Sequence, residues 1–189
     1  MDRTALFIRS LTYNARVTGR PESHEAAPYY IRYNDREPGG DILRVLETQM
    51  EETRAFLAGI SEERSLHRYA PEKWSIRQVW NHVNDSERVF LFRAFWFARG
   101  FDTPLASYDQ DVAAASAEAG EIAWASHVED FQAVRQATLT FFRNLPAPMW
   151  MRTGVASGNP FTVRALAYII AGHVAHHRAI LEREYRITS

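Results

Sequence analysis

The 189-residue chain carries 22 Lys+Arg against 23 Asp+Glu, a formal net charge of −1 without any dense basic run, which excludes the electrostatic footprint of a nucleic-acid binder. Its composition, 46% hydrophobic and 24% charged, is that of an ordinary globular chain sized for one core, and apolar stretches such as Ala165 to Ala171 fall well short of the roughly 20 residues of a membrane span. Cysteine is absent, which excludes disulfides, thiolate nucleophiles and Cys-based zinc sites, so any metal must be held by nitrogen and oxygen.

The N-terminus lacks the apolar h-region of a signal peptide, and a cytoplasmic location is the expectation. Residues 1–38 have little periodicity and contain Pro21, Pro28, Tyr29, Tyr30, Tyr33 and Pro38, which predicts an irregular N-terminal arm whose tyrosines pack onto a domain spanning 39–189. After Gly39 and Gly40, Asp41 is placed to cap a first long helix reaching Ala58, with Ile42, Val45, Leu46, Gln49, Met50, Thr53 and Phe56 as its inner stripe and Gly59 as its stop. Ser75 and Gln78 form a capping box opening a second helix, in which Ile76, Val79, Trp80, Val83, Phe90, Leu91 and Phe95 recur at helical spacing as far as Gly100.

Residues 101–125, with Pro104 and Gly120, read as a long connection holding one short helix. Ser126 and Glu129 form a second capping box, which places the start of a third long helix there and its end at Asn144, before Pro146. The turn-rich stretch 146–161 leaves room for a brief extended piece at Thr153 or Val155. Thr162 then caps a fourth long helix, in which Leu166, Ile170, His173, His177 and Ile180 share one face. The fold class expected is all-α: an antiparallel four-helix bundle in which the long 101–125 segment crosses between two parallel helices.

His173 and His177 lie one helical turn apart, so their side chains leave the same face with Cβ atoms about 5–6 Å apart and can converge on one ion. They fall on the stripe that Leu166, Ile170 and Ile180 mark as buried, and a buried imidazole without a partner costs roughly 1–3 kcal/mol. Coordination would satisfy both; so would backbone carbonyls or water at the mouth of the bundle. His82, beside the apolar stripe of the second helix, is the candidate third ligand. Three neutral histidines would leave coordination positions open for water or substrate, and imidazole suits zinc, nickel, iron and copper alike. His176 falls one position off the ligand face. Asp85 and Glu87 lie within about a turn of His82 and read as a solvated helix face, with orientation of an imidazole or a proton relay as the alternative. His24, His67 and His127 have no comparable context.

The run Lys73-Trp74-Ser75-Ile76-Arg77-Gln78-Val79-Trp80-Asn81-His82, continued by Asp85-Ser86-Glu87-Arg88, resembles the second-helix signature of the DinB-like (YfiT-like) superfamily, as does Ala171-Gly172-His173-Val174-Ala175-His176-His177 near the C-terminus. The resemblance extends from about Asp41 to Tyr185. It implies a four-helix bundle in which His82, His173 and His177 bind one divalent transition metal, zinc or nickel first, with iron also compatible. It further implies a metal-dependent enzyme acting on a small-molecule substrate, with transfer of an external low-molecular-weight thiol to a small electrophile as the leading activity. A metal-dependent hydrolase, with Asp85 or Glu87 as general base, is the second reading; a non-catalytic metal- or ligand-binding stress-response protein is the third. Family members are often homodimers, so the aromatic series Phe90, Phe92, Phe95, Trp96, Phe97 and Phe101 is assigned to core or dimer interface ahead of a substrate pocket.

Overall fold

The computed structural model describes residues 19–34 and 40–188. Among them are six α-helices and one hairpin: α1 Pro28–Asn34, α2 Ile42–Ala58, α3 Ile76–Ala98, α4 Gln110–Ser116, α5 Trp124–Arg143, β1 Thr153–Ala156, β2 Asn159–Thr162 and α6 Val163–Arg183. None of these helices is long and apolar enough to cross a membrane.

Three of the four long helices start where the local chemistry requires. The Asp41 carboxylate accepts from the Leu43 N–H at 3.0 Å, Ser75 and Gln78 close a reciprocal capping box, and the Thr162 hydroxyl accepts from the Ala165 N–H at 3.0 Å. The start of α5 departs from the expected Ser126–Glu129 box. The helix begins two residues earlier, at Trp124, and no side chain of its own caps it. Its first N–H donates instead to Glu62 Oε2 at 2.9 Å, while the Trp124 indole donates to the Leu57 carbonyl at 3.2 Å. Partners some sixty residues away outweigh the local signal because they satisfy an orphan helix donor and bury an indole together.

Helices α2, α3, α5 and α6 form the four-helix bundle. Cross-helix pairs establish its directions. Arg77 with Ile122, Asn84 with His127 and Glu87 with Arg135 show α3 and α5 running the same way. Gln49 with Ala171 and Glu52 with Arg178 show the same of α2 and α6. Helices α2 and α5 oppose each other, through Leu57 with Trp124 and Glu47 with Arg143, and so do α3 and α6, through His82 with His177 and Phe90 with His173. Joining the parallel pair α3 and α5 requires the chain to return the length of the bundle, and the segment carrying α4 does so.

The extended piece expected near Val155 is one strand of a hairpin, with Thr153 opposite Thr162 and Ala156 opposite Asn159. Its two-residue turn, Ser157 and Gly158, has positive φ at both positions, as a type I′ turn requires. The core lies in two apolar clusters. One surrounds Trp150, Phe161 and Tyr168; the other surrounds Trp80, Phe131 and Leu57.

The N-terminal arm is more regular than its composition suggested. Pro28 occupies the first position of α1, where its missing N–H costs nothing, and the helix lies along α6. It is pinned at its leading end by the buried Glu25. That carboxylate accepts from the Thr162 hydroxyl at 2.7 Å and from Arg164 Nε at 3.0 Å, with Arg164 Nη2 on its other oxygen. Burial works to raise the Glu25 carboxyl, but the hydrogen bonds of Arg164, the Glu22 N–H and Thr162 together hold it below the ordinary carboxylate value. At the far end, α1 meets Gly172. A Cβ there would stand 2.0 Å from the Tyr33 carbonyl oxygen, so only glycine lets the arm backbone rest directly on α6. The remaining arm positions, 1–18 and 35–39 with Pro38, lie outside the described residues.

Candidate metal centre

The antiparallel packing of α3 on α6 brings His82 opposite the His173–His177 pair. Ring centroids are 5.1 Å from His82 to His173, 5.0 Å from His82 to His177 and 4.5 Å from His173 to His177. One ring nitrogen from each lies within 4.8 Å of the other two. The Nε2 atoms of His173 and His177 are 3.1 Å apart, and two metal–nitrogen bonds of about 2.0–2.1 Å meeting near 90–110° would hold them roughly 2.9–3.4 Å apart. The pair therefore already has the span of two ligands on one ion.

Electrostatics favours the ligand form. Burial pushes His82 down to about 4, with the charge of Asp111 working the other way. His173 and His177 are held well below the usual imidazole value by burial first and by the neighbouring histidines second, so all three are neutral near pH 7. Two neutral imidazoles facing each other can share one proton between their Nε2 atoms, but that leaves His82 outside the arrangement. A divalent ion accepts lone pairs from all three. The residues present fit such an ion.

The walls are aromatic. Trp74 lies 5.3 Å from the His82 ring, Phe90 5.7 Å from His173, and Tyr33 of the arm 5.5 Å from both His173 and His176. His82 Nδ1 is 3.4 Å from the Ser86 hydroxyl one turn on, whereas the buried Nδ1 of His177 has no partner among the described residues. His176 is half-buried between Tyr33 and His177, off the ligand face as its register predicted.

The acidic residues near His82 behave differently from the expectation. Glu87 is buried rather than solvated, and both its oxygens are taken by Arg135, from Nε at 2.8 Å and Nη2 at 2.9 Å. Asp85 is half-buried beside Asn81, 2.8 Å away, and Arg88; burial raises its carboxyl, and the Arg88 charge opposes the shift. No carboxylate oxygen joins the histidine cluster among the described residues. Asp111 of α4, to which sequence reading assigned nothing, is the acid whose charge bears on His82. Tyr33 was expected to pack on the body, but its place against His173 follows from Gly172, the only local signal for it. His127 is a structural residue, its Nε2 3.0 Å from the Ala119 carbonyl.

The sequence model of the DinB superfamily matches residues 45–181, which include all three histidines. The chain belongs to the DinB superfamily. The DinB fold is shared with solved structures of low sequence identity. YfiT from Bacillus subtilis, described as a probable metal-dependent hydrolase with an unusual four-helix bundle topology, is 16% identical and superposes with a TM-score of 0.69 over 93% of this chain and 97% of its own. A mycothiol-dependent maleylpyruvate isomerase is 12% identical, with a TM-score of 0.62 over 72% of this chain and 58% of its own. No curated protein sequence matches this DinB chain.

Proposed function

We propose that this DinB protein is a cytoplasmic metal-dependent enzyme that transfers a low-molecular-weight thiol to a small electrophile. The observation that carries this reading is the convergence of three neutral imidazoles, with no carboxylate oxygen joining them among the described residues. His82, His173 and His177 would hold the ion, and Trp74, Tyr33 and Phe90 would keep water from its apolar side. Such an ion, when bound, supplies Lewis acidity that makes a coordinated thiol or water more acidic.

Thiol transfer ranks above hydrolysis because attack by water benefits from a general base, whereas a thiolate is a nucleophile already. Glu87 is committed to Arg135, and Asp85 to Asn81 and Arg88. The chain has no cysteine, so the thiol comes from outside. The similarity to a mycothiol-dependent isomerase supports this order, while the similarity to YfiT keeps metal-dependent hydrolysis as the second reading. Exposed Phe92, Phe95 and Phe101, with Trp96 stacked on Phe101 at 4.0 Å, form a patch suited to a homodimer contact.

The test is elemental analysis of untagged protein alongside the His173→Ala, His177→Ala double variant, followed by assays with and without added thiols. Near-stoichiometric zinc, nickel or iron, lost in the variant, with thiol-dependent consumption of an electrophile, is the expected result. Turnover without thiol would establish the hydrolase, and metal without turnover a binding protein. No metal uptake from any of these ions overturns the reading.

A further inference from the structure

Four arginines are buried among the described residues: Arg77, Arg93, Arg135 and Arg164. Three face carboxylates, Arg77 that of Glu62, Arg135 that of Glu87 and Arg164 that of Glu25. Arg93, only 3% exposed, makes no ion pair among the described residues, and its hydrogen-bond acceptors are neutral. Its Nη2 donates to the Ser157 hydroxyl at 2.9 Å and more distantly to the Ala106 carbonyl at 3.5 Å. Burial lowers its pKa, with Tyr30 opposing, yet a guanidinium does not discharge at physiological pH. A buried cation is strongly disfavoured without a counter-charge, and the rest of this fold supplies one each time.

The place of Arg93 connects it to the metal centre. His82, Ser86, Phe90 and Arg93 follow one another at i+4, i+4 and i+3 along one face of α3. Phe90 packs on His173, and Tyr30 packs on Phe90 with ring centroids 6.3 Å apart, close enough for the Tyr30 side chain to bear on the charge of Arg93. A row of buried side chains thus runs from the histidines to the guanidinium, about 16 Å of helix rise. Tethering the hairpin turn at Ser157 to α3 requires one hydrogen-bond donor; it does not require a charge or a planar fork.

We propose that Arg93, with Tyr30 and Ser157, receives the carboxylate of the small molecule whose reacting end lies at His82, His173 and His177. The ligand is then an anion, its carboxylate on the order of 15 Å from the reacting atom given the helix rise between the two positions. A guanidinium fork matches a carboxylate with two parallel hydrogen bonds, which an ammonium or an amide cannot reproduce. The link to the reacting end rests on the proposed metal centre; the carboxylate site does not.

Two measurements separate these parts. In the first, metal-free wild-type protein is titrated with glutarate and with its neutral diamide by calorimetry. Saturable binding of glutarate, absence of binding by the diamide and at least a tenfold loss of glutarate affinity in both Arg93→Gln and Arg93→Lys are expected. Arg93→Gln keeps the donor for Ser157, and Arg93→Lys keeps the charge, so one variant remains informative if the other fails to fold. Equal binding by the folded variant, or no glutarate binding to wild type, overturns the carboxylate site. In the second, cobalt-loaded protein is titrated with ω-mercaptocarboxylates of increasing chain length and with alkanethiols of matching length. A carboxylate advantage confined to the long chains and lost in Arg93→Gln supports the link, and an advantage independent of length overturns it. Absence of any cobalt–thiolate absorption would count against the metal centre and overturn the link, leaving the glutarate result to stand.

Discussion

Replacing Arg135 by methionine removes one half of a buried pair and isolates the other. Arg135 is 0% exposed and Glu87 3% exposed, and the guanidinium also reaches Gln49 Oε1 at 2.9 Å and the Leu46 carbonyl at 3.3 Å. Leaving a buried carboxylate uncompensated costs about 3–5 kcal/mol, which for a domain of this size lowers Tm by roughly 6–20 °C. Replacing both partners, Arg135→Met with Glu87→Leu, removes the charge problem but leaves Gln49 and Leu46 short of a donor, at about 1 kcal/mol each. The double variant should therefore lie within about 2 kcal/mol of wild type. Urea denaturation followed by tryptophan fluorescence measures both. A double variant as unstable as Arg135→Met would refute the argument that charge compensation is what holds the pair. A separate variant bears on function: Glu87→Gln that keeps stability by urea denaturation and abolishes turnover in an activity assay would make Glu87 a catalytic base, against the geometry.

Gly172→Ala should destabilise the protein even though alanine favours a helix by about 1 kcal/mol, because the new methyl meets the Tyr33 backbone at 2.0 Å and overpacking costs about 1–3 kcal/mol. Increased hydrogen exchange confined to α1 would confirm it, and unchanged exchange there would refute it. Metal-free protein should lose stability as pH falls from about 6.5 to about 4. His82 takes up its proton more readily when unfolded, so stability present above the unfolded value drains away towards the folded one, on the order of 3 kcal/mol. Tm against pH measures this, and a His82→Phe variant showing the same fall would rule out that source. Phe92→Glu with Phe95→Glu should convert a dimer into a monomer by light scattering, without change in helix content; a monomeric wild type would end the dimer proposal.

Several features of this DinB chain were legible before any coordinates. Asp41, Ser75 with Gln78, and Thr162 mark helix starts because a cap acts on an N–H two or three residues ahead, inside a single turn. The His173–His177 pair is legible for the same reason, since helical geometry alone sets that spacing. His82 was a candidate third ligand from its place beside the apolar stripe of its helix, and the family resemblance implied the same; its convergence on the pair is a property of α3 lying antiparallel to α6.

Other features could not be read locally. Glu87 was read as part of a solvated helix face; Arg135, 48 residues away, makes it a core residue. The Ser126–Glu129 box is overruled by Glu62 and Leu57, and the arm becomes helical at Pro28 because Glu25 and Gly172 seat it on α6. Arg93 resembles any other helix arginine until it proves to be buried with neutral hydrogen-bond acceptors and no ion pair among the described residues. The division follows the range of the forces: backbone capping and helical spacing act within one turn, where sequence order and distance coincide. Burial and charge compensation depend on which helix lies opposite, and that is decided by packing the whole chain.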